Sequence, residues 1–121
     1  MTLNRVLIGE LSKPAFPAAH AESAPPAWFN LTAGALHFAE VHAMRSDRTS
    51  CLANLCQAVL ATAEGRLAAR CEWVLNEKGI VARADLDEIQ QLLDNAGHDL
   101  LALIAATDQV LDLPSSLWRR G

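Results

Sequence analysis

Between Asp85 and Pro114 the apolar positions recur every seven residues. Leu86, Leu93, Leu100 and Thr107 form one row, and Ile89, Ala96, Leu103 and Val110 form a second. The spacing predicts one continuous helix carrying a seam of about four heptads. Leu92, Leu101, Ile104 and Leu111 widen that seam, which suits a bundle with several neighbours better than an isolated two-stranded coil. Asp85 with Glu88 three residues on reads as a capping box, and Pro114 ends the run. A second stripe lies upstream. Leu52, Leu55, Cys56, Val59, Leu60, Ala63, Leu67, Cys71 and Val74 recur at intervals of three and four, predicting a helix from about Ser50 to "NEKG", where Gly79 is placed as a left-handed stop. Gly65 falls inside this run, so a kink or split there would make four helices of three. A further helix is expected from Asn30 or Thr32, either a plausible cap, to about Arg45, with the polar "SDRTS" breaking the chain after it.

Before Thr32 no period is usable. Pro14, Pro17, Pro25 and Pro26 interrupt the chain, and proline removes backbone donors and blocks helix interiors. Residues 1–32 are therefore expected to form an extended Pro-rich arm. Its Val6, Leu7, Ile8, Phe16, Trp28 and Phe29 are too apolar for an inert tail, so the arm should pack along the body or onto a second chain. The expected organisation is all-α. It comprises this arm, a bundle of three or four helices over 33–113 with two long antiparallel helices, and a tail over 114–121 in which Trp118 could dock.

Composition supports that class. The chain has 121 residues, half of them apolar, with few aromatics and no Tyr, which fits one Ala/Leu-rich helical domain. A net charge of −4 is spread along the chain, Lys appears only at positions 13 and 78, and the arginines are scattered. Direct nucleic-acid binding is not expected from such a distribution. Cys51, Cys56 and Cys71 cannot all pair within one chain and sit at apolar helical positions, so buried reduced thiols in the cytoplasm are expected. The longest apolar stretch, Leu100–Ala106, is too short to span a bilayer, and no secretory leader pattern is evident.

Chemistry is sparse. "LHFAEVHAM" holds two histidines and a glutamate, yet His37 and His42 are five apart and point roughly 140° from each other on a helix. His37 and Glu40 could meet, but they supply two ligands where zinc sites use three or four. An exposed side-chain pair is the plainer reading, and no metal or cofactor is expected. His98 beside Asp94 and Asp99 reads as a solvated histidine flanked by acids, and Cys71 beside Arg70 as a structural cysteine rather than a nucleophile. No catalytic residue is assigned, because no nucleophile elbow, phosphate loop or paired-Cys motif is present.

These features favour a non-enzymatic helical interaction module that self-associates through apolar helix faces as a homodimer. A second reading is a small acidic inhibitor, for example phage-encoded, that blocks a bacterial macromolecular complex. It would present Asp85, Asp87, Glu88, Asp94 and Asp99 from one helix where phosphates would lie. A third is a metal- or ligand-binding bundle around His37 and Glu40. The candidate partner-binding residues are Trp28, Phe29, Asp94, Asp99 and Trp118.

Overall fold

A computed structural model describes residues 18–74 and 79–114. The chain is all helical there: α1 Ala18–Met44, α2 Arg48–Ala69, α3 Ile80–Arg83, α4 Glu88–Asp94 and α5 Leu100–Leu111. The two long helices, α1 and α2, run antiparallel. Phe29 lies against Gly65 and Thr32 against Thr62, so one sequence number rises as the other falls. The early arm residues, including Val6, Leu7, Ile8 and Phe16, the Leu75–Lys78 stretch and the tail with Trp118 lie outside the described residues.

The expected arm is helical from Ala18 onward, with Pro25 and Pro26 inside α1. Ala18, Ala19, Ala21, Ala24 and Ala27 surround the prolines, and alanine is the strongest helix former. Ala24 and Pro25 are also buried, so packing offsets the two lost donors. The break at "SDRTS" is present. α1 closes with Ser46 at positive φ, its N–H donating to the Ala43 carbonyl and that of Asp47 to the His42 carbonyl, a Schellman ending made without glycine. The Asp47 carboxylate then accepts from the Ser50 N–H at 3.1 Å and caps α2.

α2 passes through Gly65 without interruption. A Cβ built at Gly65 would sit 2.5 Å from Phe29 Cε1, so this glycine lets the Phe29 ring lie directly on the α2 backbone. Leu36 and Ala39 of α1 meet a core with Leu55, Ala58, Val59, Ala63 and Leu67 of α2, all buried. Each large residue of that set contributes about 1.5–3 kcal/mol through burial. Within it Thr32 and Thr62 share a hydrogen bond at 3.0 Å, and the Thr62 hydroxyl donates to the Ala58 carbonyl at 2.9 Å. These satisfied polar groups pin the register of the two helices.

α2 ends at Ala69 rather than near Gly79, because Cys71 takes positive φ and donates to the Ala68 carbonyl while the Glu72 N–H reaches Leu67. Gly79 is left-handed as expected, but it precedes α3 instead of ending α2. The single helix expected from Asp85 is divided. Asp85 caps nothing; it turns the chain after α3 at positive φ, and its carboxylate pairs with Arg70 at 2.8 Å. Between α4 and α5 the chain leaves the helix over 95–99. The Arg48 guanidinium donates to the Gly97 carbonyl at 2.6 Å, and the Asp99 carboxylate caps α5 by accepting from the Ala102 N–H. Asn and Gly are poor helix formers, and a side chain takes up a carbonyl the helix leaves free.

Most of the heptad positions face inward all the same. Leu86, Ile89, Leu100, Leu103, Ile104, Thr107 and Leu111 are buried, Leu93 and Ala96 are half-buried, and Leu101 is exposed. Arg66 ties this half to α2, donating to the Ala84 carbonyl at 3.0 Å and the Leu111 carbonyl at 2.9 Å. One guanidinium thus receives the free carbonyls that end α3 and α5.

Candidate functional site

The α1 residues between Trp28 and Phe38 present two rows. Phe29, Thr32 and Leu36 turn toward the core, while Trp28, Leu31 and Phe38 form an outward row with Ala35, partly buried against the core, between them. With Asn54, Gln57, Leu60, Ala61 and Glu64 of α2, the outward row lines an open groove of about 570 Å³ that also takes in Asn30 and Gly34. Leu31 is 60% exposed and Phe38 56%. Glu64 is the one charged residue in the lining. Two large apolar side chains left more than half in water on one helix mark a surface suited to apolar burial.

The candidate partner-binding residues are not brought together. Trp28 lines the groove, whereas its neighbour Phe29 is half-buried against Gly65 and serves the α1–α2 interface instead. Asp94 is exposed at the edge of a smaller recess lined by Cys56, Leu60, Val81, Ile89 and Leu93, and Asp99 is the cap of α5. Trp118 lies outside the described residues. The acidic row expected on one helix is dispersed too: Asp85 sits in a turn, Asp87, Glu88 and Asp94 belong to α4 and its start, and Asp99 opens α5.

No family model, curated protein or solved structure matches this chain. The groove and the side chains around it therefore carry the functional reading unaided.

Among the described residues no group of three or more His, Cys, Asp and Glu side chains could hold a metal ion. The His37 ring packs edge-on to Phe38 at 5.5 Å, and His42 approaches the Asp47 carboxylate at 3.9 Å. Hydrogen bonds from the Ser50 backbone and side chain, with His42 nearby, hold Asp47 below the usual carboxylate range. The expectation of three buried thiols is met only at Cys51, where burial pushes the thiol pKa up. Cys56 and Cys71 are exposed, the first because the apolar stripe of α2 centres on Leu55 and Val59, the second because it sits in the turn that ends α2. His98 and Asp99 line a shallow recess with Arg48, whose guanidinium is engaged by the Gly97 carbonyl. Among the described residues no helix is long and apolar enough to cross a membrane.

The sequence reading missed the groove although its signal was present. Trp28, Leu31, Ala35 and Phe38 follow a 3-4-3 spacing, but a helix begun at Asn30 or Thr32 leaves Trp28 in the arm. Phe38 sits between His37 and Glu40, whose polarity masks the apolar row.

Proposed function

We propose that this chain is a non-enzymatic interaction module that receives an apolar protein helix in the groove between α1 and α2. The observation that carries the reading is the exposure of Leu31 and Phe38 on a groove whose lining also holds the small residues Gly34, Ala35 and Ala61. Large side chains beside small ones can interdigitate with a partner helix, as in ordinary helix packing. Its contribution would come from apolar burial, since the lining holds little charge to steer a partner.

A photo-crosslinking benzoyl-phenylalanine placed at Phe38 in the full chain, in cells, tests this. The expected result is a protein adduct at Phe38 that is absent at the exposed control position Gln109 and abolished by Leu31→Asp. Equal labelling at both positions, or no adduct at Phe38, would remove the groove from the account.

A further inference from the structure

We infer that the recess between α2 and α4 binds a small organic cation, an ammonium group on an apolar body. The recess has a volume of about 390 Å³, within the range of roughly 300–1,000 Å³ usual for small-molecule pockets. Its lining includes Cys56 and Val59 of α2, Val81 of α3, and Ile89, Leu93 and Asp94 of α4. Val59 and Ile89 are buried and Val81 and Leu93 half-buried, so this surface suits a hydrocarbon body. The fold also lets α4 adjust to a guest. Arg66 and Arg70 pin the chain just before it, at Ala84 and Asp85, and Arg48 pins it just after, at Gly97. Among the described residues no side-chain hydrogen bond or ion pair joins Glu88–Asp94 itself to another element. Apolar contact, which has no preferred direction, holds α4 beside the recess.

Charge selects the occupant. Asp94 is the one charged residue in the lining; it is exposed, and among the described residues it has no ion-pair partner. Its surroundings carry the same sign. Residues 84–99 also hold Asp85, Asp87, Glu88 and Asp99, with no Lys or Arg. The arginines that reach this half are turned to other acceptors. Arg48 donates to the Gly97 carbonyl, Arg66 to those of Ala84 and Leu111, Arg70 to the Arg83 carbonyl and the Asp85 carboxylate, and Arg83 to Glu72 and the Trp73 carbonyl. None of them lines the recess. An anion placed there would meet an unopposed carboxylate. An ammonium beside Asp94 instead gains an ion pair and stays at the water boundary while its apolar body is buried.

The test uses the full chain and three probes of one chain length: octylamine, octanol and octanoate. In amide-shift titrations octylamine should bind saturably and move Val81 and Ile89, which line this recess and not the α1–α2 groove. It should bind about tenfold tighter than octanoate, with octanol between, because attraction to an exposed carboxylate becomes repulsion. Octylamine should also slow the hydrogen exchange of α4. Asp94→Asn, at an exposed position, should bring the three probes within about threefold of one another and leave the melting temperature unchanged. Cys56→Phe, also at an exposed position, should fill the recess and abolish binding of all three. Octanoate binding as tightly as octylamine overturns the assignment, as do shifts that centre on Leu31 and Phe38. Binding that does not saturate, or that survives Cys56→Phe undiminished, overturns it too.

Discussion

The strongest helical pattern in the sequence lies after Asp85 and the weakest before Thr32, yet the structure reverses their continuity. The segment with two adjacent prolines belongs to the longest helix, Ala18–Met44, while the four-heptad seam is cut into Glu88–Asp94 and Leu100–Leu111. A long partner accounts for the difference. α1 is covered along much of its length by α2, with Gly65, Thr62 and Ala58 allowing close approach. The 79–114 half meets α2 through short pieces, and its free carbonyls are taken by Arg48, Arg66 and Arg70. Heptad periodicity thus records which residues are buried, whereas continuity depends on what lies alongside the backbone.

The largest expected effect comes from the hairpin core. Leu55→Ala, at a fully buried position, should cost about 2–5 kcal/mol in urea unfolding. Leu93→Ala, half-buried on the other half, should cost roughly 1–2 kcal/mol. Equal losses would erase the distinction between the halves.

Gly65→Ala sharpens the contrast on the hairpin side. Its methyl collides with the Phe29 ring, so a cost of about 1–3 kcal/mol is expected, against a helix-propensity gain near 1 kcal/mol. The same change at Gly34 meets open space and should stabilise dilute protein by up to about 1 kcal/mol. Denaturant midpoints of the two variants should therefore move in opposite directions.

Arg66→Met probes the attachment of the second half. The side chain keeps much of its length but leaves the Ala84 and Leu111 carbonyls without their donor, at an expected cost of about 1–3 kcal/mol. The accompanying change in amide shifts should fall on α3 and the end of α5 and spare the α1–α2 interface.

The last effect, like that of Gly34→Ala, is a small gain in stability. Cys71 closes α2 at φ 59°, a conformation that costs a side-chain-bearing residue about 1–2 kcal/mol. Cys71→Gly should raise the melting midpoint by the equivalent of about 1 kcal/mol, which a thermal scan can read.

Much of this was legible beforehand. The all-α class, the break after Arg45 and the inward face of the last segment follow from periodicity and cap residues. The interruption over 95–99 had a signal in "DNAGHD", where Asn95 and Gly97 disfavour helix and Asp99 can cap a new one, but the heptad count runs through it unchanged. The end of α2 was harder to see, because Cys71 adopts the left-handed backbone usually taken by glycine. The roles of Arg48 and Arg66 are hidden in the sequence, since spacing says nothing of carbonyls 49 and 45 residues away. The groove required knowing that α1 starts early enough to place Trp28, Leu31 and Phe38 on one face.

Native-state hydrogen exchange on the full chain tests the central claim most directly, that the α1–α2 hairpin is the stable body onto which the second half is docked. The slowest amides should lie in α2 between Leu55 and Leu67 and in the facing part of α1, while those of α4 between Ile89 and Leu93 exchange by a lower-energy opening. Slowest exchange in α4 and α5, or one common opening energy across all five helices, would contradict it.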